Sequence, residues 1–360
     1  MNILLIRSDA GLAGPAKLMH AYARALRNSG HRVCIASGGG EYALEFEKDG
    51  FPHTTIDGLR IGARNPVLVP MHIMKIAALM TRERIDIVNS FNAHAGLMAH
   101  LADPLWRARH FNTVLGTGHE WTNRVLSSHL LRGHIIAVSN DVRDRLIEAG
   151  VSRGKISVVY NSTLDERFFA PLPNRSVRNA PIRLCGIAMF TGNKGHEYII
   201  PLLAKLVHER NLDLRLTLVG DGPSRATCEQ MAANLDVIDR VRFTGALIDV
   251  VPELDAADIF IHLPKTETFG IVLAEAMARA LPVVTVRVGG VPEVVQDGET
   301  GVILASREDT SGLLAAIEQL VFDRGMRDQM GQSGHKTASS RFSLQALERD
   351  LNDIYRAPQD

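Results

Sequence analysis

The sequence predicts an α/β protein with two doubly wound domains, each built on a parallel sheet. Three observations lead to this fold class. The chain has 360 residues, which is too many for one core of ordinary size. Short apolar strands alternate with amphipathic helices from end to end, as in parallel sheets that are covered by helices. A proline-rich break follows residue 170, and the alternation starts again after it.

The first domain is predicted to cover residues 1–170. Short apolar runs indicate its strands, and the segments between them have helical periodicity, for instance near 15–28 and 66–82. The predicted strands lie near 2–7, 31–36, 85–89, 111–115 and 134–138.

The second domain is predicted to cover residues 182–343, after a linker at 171–181 in which prolines stand among polar residues. Its predicted strands lie near 182–189, 214–219, 258–263, 282–286 and 301–304. The last segment, 344–360, carries an amphipathic helix near 344–357 with no strand after it, and this helix is a candidate to pack back on the first domain. Two such domains are expected to face a central cleft, where doubly wound sheets bind ligands.

The composition is that of an ordinary globular protein, with 46% hydrophobic and 22% charged residues. No apolar run approaches the roughly 20 residues that span a bilayer. The first residues predict a strand and lack the basic start and cleavage site of a signal peptide. Cys34, Cys185 and Cys228 are far apart and lie in apolar or helical stretches, as in proteins of a reduced compartment. We therefore expect a cytoplasmic protein.

Charge is distributed unevenly along the chain, although the net charge is zero. Residues 1–170 carry 20 Lys and Arg against 15 Asp and Glu. This excess could form a solvated face. Alternatively, with Trp106 and Trp121 in or near it, it could place the protein peripherally against an anionic membrane surface or a lipid-linked acceptor. No aromatic-basic RNA module is present, so no nucleic-acid partner is expected. The clustered basic residues are Arg60, Arg64, Lys75, Arg82, Arg84, Arg107, Arg109, Arg124 and Arg132.

Turns that follow predicted strands could bring backbone N–H groups or a cation to a phosphate. The turn Ser8–Pro15 includes Gly14 but lacks the Gly-x-Gly-x-x-Gly dinucleotide fingerprint, and a plain tight turn explains it equally well. Lys194 stands between a strand and a helix, where its ammonium could meet a diphosphate; a surface lysine is the alternative. The turn Gly220–Pro223, with Gly222 inside it, follows the next strand, and two such turns suggest a ligand face.

Residues 264–278 carry the strongest signal, Pro-Lys-Thr-Glu-Thr-Phe-Gly-Ile-Val-Leu-Ala-Glu-Ala-Met-Ala. Glu267 lies in the loop after a strand, and a helix is predicted to begin near Phe269. The N–H groups of Phe269 and Gly270 would then lie at the positive end of that helix. Glu275 lies within it among apolar residues, where an unpaired buried glutamate is uncommon. Two carboxylates so placed can hold sugar hydroxyls; the alternative is an amphipathic helix with one buried glutamate.

These motifs together resemble the retaining GT-B glycosyltransferases. That large family includes bacterial mannosyltransferases, sucrose-phosphate synthase, and lipopolysaccharide and capsule enzymes. The resemblance covers nearly the whole chain and is strongest over 134–304. Motifs in family order are more specific than any one of them. They are Ile-Ile-Ala-Val-Ser (135–139), Lys-Ile-Ser-Val-Val-Tyr-Asn (155–161), Lys194-Gly195, Val-Gly-Asp-Gly-Pro (219–223), Glu267-(x)7-Glu275 and Gly-Gly-Val-Pro-Glu (289–293).

The resemblance implies two Rossmann-like domains and assigns roles to residues by position. Catalysis would involve Glu267, at the donor sugar and its developing charge, and His119, which faces the donor sugar. Glu275 would hold the ribose hydroxyls, and Lys194 would neutralise the donor diphosphate. Further donor contacts would come from Gly14, Gly222, Thr268, Phe269, Gly270 and Ile271.

Two departures from the family pattern concern the chemistry more than the fold. The arginine that usually stands five residues before the lysine is Met189 here, so one cation on the diphosphate is missing or comes from elsewhere. The usual Asn-Gly-x-Asp reads Asn161-Ser162-Thr163-Leu164. No Asp-x-Asp loop is evident, so we expect the reaction to need no metal and no other cofactor.

The sequence therefore predicts a retaining transferase that moves a hexosyl unit from a UDP- or GDP-sugar to a glycan or lipid-linked acceptor. Two alternatives remain open at this stage. One is a sugar-nucleotide 2-epimerase on the same fold, and the other is an inactive nucleotide-sugar binder, which Met189 makes conceivable.

Overall fold

The computed structural model describes residues 1–11, 14–60, 66–105, 107–116, 133–175 and 181–357. The chain divides into two compact units. The first consists of Met1–Thr163 together with Leu344–Asp360, and the second of Leu164–Ser343. Each unit has its own hydrophobic core.

The first unit is built on a parallel sheet with the strand order β3-β2-β1-β4-β5-β6-β7. Its central strand is an uninterrupted apolar run, because helices cover both faces; Ile3, Leu4, Leu5 and Ile6 are fully buried. The strands are β1 (Asn2–Arg7), β2 (Arg32–Ser37), β3 (His53–Thr55), β4 (Ile87–Ser90), β5 (Arg109–Val114), β6 (His134–Ala137) and β7 (Ile156–Val158).

Helices alternate with these strands, as the periodicity predicts. Polar caps begin two of them: Asn92 accepts a hydrogen bond from the Ala95 N–H, and Ser139 accepts one from the Val142 N–H. The helices are α1 (Gly14–Asn28), α2 (Ala43–Lys48), α3 (Val69–Glu83), α4 (Ala93–Ala102) and α5 (Asn140–Glu148).

The C-terminal helix, Leu344–Arg356, belongs to the first unit and packs against α1. Its apolar face enters the first core through Leu347, Leu351 and Tyr355. The Tyr355 hydroxyl accepts a hydrogen bond from Asn89 on β4 (2.8 Å). The end of the helix is held by Arg109, whose guanidinium donates to the Tyr355 carbonyl (2.6 Å), so this arginine of the basic cluster has a structural role.

The second unit is built on a parallel sheet with the order β10-β9-β8-β11-β12-β13. The order reverses between β8 and β11, and ligands bind at such switch points in doubly wound sheets. The strands are β8 (Ile182–Ile187), β9 (Leu214–Val219), β10 (Val241–Gly245), β11 (Ile259–His262), β12 (Val283–Val286) and β13 (Gly301–Leu304). The helices are α6 (His196–His208), α7 (Arg225–Asn234), α8 (Val251–Ala256), α9 (Ile271–Ala278), α10 (Val291–Val294), α11 (Thr310–Phe322) and α12 (Arg324–Arg341).

The segment before β8 belongs to the second unit, so the division falls before the predicted boundary at residue 170. The segment before β8 is held in place by Arg279, which follows α9 and is 1% exposed. The Arg279 guanidinium donates to the carbonyls of Phe168 (3.1 Å) and Ala170 (2.7 Å) and pairs with Asp255 (2.7 Å). A buried guanidinium needs these partners, and a further bond to the Pro171 carbonyl (3.0 Å) also fixes the first residue of the predicted linker.

Candidate active site

The loops after β8 and β11 lie side by side at the switch point of the second unit. The Lys265 N–H, in the loop after β11, donates a hydrogen bond to the Asn193 carbonyl in the loop after β8 (2.8 Å). Gly195, the last residue before α6, has a φ of 88°. A Cβ there would lie 2.0 Å from the Leu263 carbonyl oxygen, so only glycine permits this approach of the two loops.

Three side chains meet at one carboxylate oxygen in this place. Glu267 Oε2 accepts hydrogen bonds from Lys194 Nζ (2.9 Å) and from His262 Nε2 (3.2 Å). The side chains of Glu267 and His262 are 13% and 2% exposed, whereas that of Lys194 is 29% exposed. The sequence predicted the lysine and the glutamate separately, and the structure joins them as an ion pair.

The electrostatics of this cluster keep Glu267 ionised. Burial raises the pKa of its carboxyl, but the hydrogen bond from His262 and the charge of Lys194 outweigh burial and lower the pKa to about 2. Burial also lowers the pKa of His262, so its ring is neutral at pH 7. Because an ionised carboxylate can only accept, the shared proton belongs to His262 Nε2. The cluster is thus a neutral donor and a cation around one carboxylate.

The backbone around Glu267 is held as firmly as its side chain. The Thr268 N–H donates to the second carboxylate oxygen, Oε1 (3.2 Å), and the Gly290 N–H donates to the Glu267 carbonyl (3.0 Å). Gly270 then caps α9 with a φ of 94°. Helix α9 begins at Ile271, two residues after the predicted start. The N–H groups at its positive end therefore lie close to Glu267 in the sequence.

Two other predicted residues of this segment are buried. Phe269 is 1% exposed and packs edge to face on Phe342, with ring centroids 5.5 Å apart, so its side chain is part of the core. Glu275 is 6% exposed and lies in α9 between the buried alanines Ala274 and Ala276. Carboxylates that are buried among apolar residues are almost always paired with a charged or hydrogen-bonding group.

The turn after β9 packs against the loop after β8. Gly220 and Gly222 have φ values of 140° and 151°. A Cβ on Gly220 would lie 1.9 Å from the Ala188 carbonyl oxygen, and one on Gly222 would lie 2.6 Å from that of Phe190. The Gly222 N–H donates to Asp221 Oδ1 (2.7 Å), so this amide has a partner within the turn.

The remaining predicted site residues lie in the first unit or carry no contact to the cluster. Gly14 is the exposed first residue of α1. His119 lies outside the described residues. Met189, which replaces the family arginine, is 53% exposed in the loop after β8.

Sequence reasoning missed His262 and the neighbouring His196. The His196 ring stacks on Phe190 with centroids 4.0 Å apart, and burial, aided by His262 and Lys194, lowers its pKa to about 4. A single histidine at the end of an apolar strand or at the start of a helix carries no spacing signal. Only the position of His262 on the strand that leads to Glu267 could have indicated it.

Of the residues that the structure describes, no three His, Cys, Asp or Glu side chains group as metal ligands. Nor is any helix in those ranges long and apolar enough to cross a membrane.

Comparison with known proteins identifies the family. Residues 13–166 match the family described as "Glycosyltransferase Family 4", and residues 176–337 match "Glycosyl transferases group 1". The N-acetyl-alpha-D-glucosaminyl L-malate synthase of Bacillus anthracis is 31% identical over 298 residues, which is 78% of this chain and 77% of that protein. The lipopolysaccharide core biosynthesis glycosyltransferase LpsE of Rhizobium meliloti is 31% identical over 203 residues, 56% of this chain and 55% of that one.

Solved structures share the fold over almost the whole chain. Anabaena Alr3699/HepE, solved in complex with UDP and glucose, has a TM-score of 0.85 at 19% identity, with 99% of this chain and 100% of that chain covered. A glycosyltransferase from Rickettsia africae has a TM-score of 0.85 at 21% identity, with coverage of 99% and 97%. The two parallel-sheet units are therefore those of the GT-B fold. The chain belongs to the group 1 family of glycosyltransferases.

Proposed function

We propose that this glycosyltransferase moves a hexosyl unit from a UDP- or GDP-sugar to a glycan or lipid-linked acceptor and retains the anomeric configuration. The observation that carries the proposal is the Lys194–Glu267–His262 cluster at the switch point of the second unit. The relatives agree with a nucleotide-sugar donor, since the Anabaena protein was solved with UDP and with UDP-glucose. The matched families and relatives are transferases, which does not favour the 2-epimerase alternative.

The residues of the cluster divide the work between the two products of bond cleavage. When the bond between the anomeric carbon and the diphosphate oxygen breaks, negative charge develops on the diphosphate and positive charge on the sugar. On the diphosphate side, the proposal places the Lys194 ammonium and the N–H groups of Gly270 and Ile271 at the start of α9. Further backbone groups on this side belong to Gly14, Gly222, Thr268 and Phe269. Under the same proposal Glu267 and His119 act on the sugar, and Glu275 holds the ribose.

The functional test is a donor screen followed by product detection. Each of a set of UDP-, GDP- and ADP-sugars is added to the protein at about 100 times its dissociation constant, where a bound donor stabilises the folded state by roughly 2.7 kcal/mol. The donor that raises the Tm is then incubated with glycan and lipid-linked acceptors. A transferred sugar supports the proposal. Binding of the donor with neither transfer nor hydrolysis would identify an inactive binder, and release of a free epimer would identify an epimerase.

The reaction is proposed to need no metal ion, because Lys194 and the start of α9 supply the positive charge for the departing diphosphate. We expect transfer to continue at an unchanged rate in excess EDTA. The measurement is the initial rate with EDTA, and then with manganese or magnesium restored. Complete loss with EDTA and recovery with either metal would contradict the role given to the lysine and the helix.

Attachment to anionic lipid is proposed for the surface around α3. One side of this helix packs into the first unit through Ile76, Leu79 and Met80. The other side exposes Met71, Met74 and Lys75, with Met74 64% exposed, and Val67 is exposed in the turn just before the helix. Exposed apolar side chains beside a lysine match the boundary between lipid headgroups and acyl chains. Such a surface would suit an enzyme that attaches peripherally to the membrane or acts on a lipid-linked acceptor.

The double substitution Met74→Asp with Lys75→Glu is expected to weaken binding to anionic vesicles by tenfold or more. Loss of one basic residue near such a surface removes about 1 kcal/mol, roughly fivefold, and the two added carboxylates are repelled by the anionic lipid. Flotation of the wild-type and variant proteins with anionic vesicles at several salt concentrations measures this. Phe322→Ser is the matched control, because Phe322 is an exposed apolar residue of the second unit. If the wild-type protein floats equally well with neutral and with anionic vesicles, these residues form a solvated face and do not bind anionic lipid.

A further inference from the structure

We infer that His262 is a positioning residue that holds the Glu267 carboxylate in place when the donor draws Lys194 away. This inference rests on the proposed function and adds a residue that neither the family motifs nor the relatives indicated. His262 is the last residue of β11 and stands five positions before Glu267, and its side chain is buried. It touches the carboxylate through Nε2 and is too enclosed to meet a ligand itself.

The Glu267 carboxylate and the donor diphosphate compete for Lys194. The Lys194 ammonium pairs with Glu267 Oε2, and its side chain is the most exposed of the three. A diphosphate carries more negative charge than one carboxylate and is therefore a stronger partner for this cation. When Lys194 turns to the diphosphate, Oε2 keeps the bond from His262, and Oε1 keeps the bond from the Thr268 N–H. Both oxygens of Glu267 thus remain fixed.

The neutral state of His262 matters as much as its position. The titratable groups that face Glu267 are Lys194 and His262, and His196 stands behind them. Because burial lowers the pKa of both histidines, neither carries a charge at pH 7. A neutral donor orients the carboxylate and leaves its full negative charge for the sugar. A lysine or arginine in the same place would cancel that charge.

The direct test compares His262→Gln with His262→Leu. A glutamine amide nitrogen can take the place of Nε2 and donate the same bond, whereas leucine cannot. For the leucine variant we expect kcat to fall on the order of 100-fold, as for a catalytic group displaced by about 1 Å, with the donor KM and the affinity for UDP nearly unchanged. The glutamine variant is expected to recover most of kcat. A change that only loosened the fold would lower Tm for both variants and would not restore activity through the amide.

The pH profile supplies a second readout. Loss of the His262 bond raises the pKa of Glu267, because burial disfavours the charged form and one of the interactions that oppose burial is then gone. The ionised form is lost as pH falls through the raised pKa, so the acid limb of kcat should move to higher pH in the leucine variant but not in the glutamine variant. Wild-type kcat and an unshifted acid limb in a folded leucine variant would overturn the inference.

Failure of this inference and failure of the proposed function give different results. If the wild-type protein transfers no sugar, the proposed function fails, and the ¹³C titration of the Glu267 carboxyl in the unliganded chain decides the role of His262. The signal is assigned by its loss in Glu267→Gln. The inference is supported if the pKa of Glu267 rises in the leucine variant and is close to the wild-type value in the glutamine variant. An unchanged pKa in the leucine variant contradicts it. If the leucine variant does not fold, His262→Asn, whose amide is too short to reach Oε2, takes its place.

Discussion

Glu267→Gln is expected to lower kcat by roughly 100- to 1,000-fold, the usual loss when one preorganised electrostatic group is removed from an active site. The substitution keeps the shape of the side chain but removes the negative charge that the cluster maintains by lowering the pKa of this carboxyl to about 2. That charge matters most when positive charge develops on the sugar, so the donor KM should change little. Steady-state kinetics on proteins matched for Tm measure both constants.

Glu275→Gln is the paired comparison, because the ribose that Glu275 is proposed to hold does not react. Interactions with a non-reacting part are similar in the ground and transition states, so this variant should mainly raise the donor KM. Glu299→Gln, an exposed position of the same unit, is the surface control. Small and equal effects of the Glu267 and Glu275 substitutions on both constants would remove the motif from the active site. Effects that follow loss of folded protein alone would make both residues structural.

Lys194→Ala is expected to weaken the binding of free UDP or GDP by roughly ten- to a hundredfold, which corresponds to a charge-assisted bond of about 1.5–3 kcal/mol. The effect should be large because Met189 stands where the family usually has a second cation. Titration calorimetry measures the affinity. Lys205→Ala, on the exposed side of α6, is the matched control.

The ion pair adds a corollary that tests the same assignment from the other side. Lys194 must leave Glu267 before it can bind a diphosphate, so Glu267→Gln should release the lysine and bind the free nucleotide diphosphate somewhat more tightly. Unchanged affinity in Lys194→Ala would mean that another cation serves the diphosphate. Weaker binding in Glu267→Gln would mean that the carboxylate does not compete for the lysine.

The fold could be predicted largely from the sequence, because parallel strands that are buried on both faces are uninterrupted apolar runs. The two-sheet architecture and the glycosyltransferase family are confirmed. Strands β3, β7 and β10 were missed for a physical reason. All three are short strands at the edge of a sheet: β3 is His-Thr-Thr, β7 is Ile-Ser-Val, and β10 contains Arg242, so none has a continuous apolar run.

The site could be predicted only in part, because contacts between distant residues do not appear in a local pattern. The Glu267 motif and Lys194 stand out through their position after strands, but nothing in the sequence shows that they form an ion pair 73 positions apart. His262 looks like an ordinary strand residue. Arg279 looks like a surface arginine after a helix, yet it is buried and holds the carbonyls of Phe168, Ala170 and Pro171, where the predicted linker begins. The roles of the site residues stay predictions.

A crystal structure of the chain with UDP would show where the diphosphate lies and which cation meets it. We predict phosphate oxygens at the start of α9, with one of them about 3 Å from Lys194 Nζ. Lys194 should then have left Glu267 Oε2, while the bond from His262 to that oxygen remains. A nucleotide bound elsewhere, with the Lys194–Glu267 pair intact, would contradict the account.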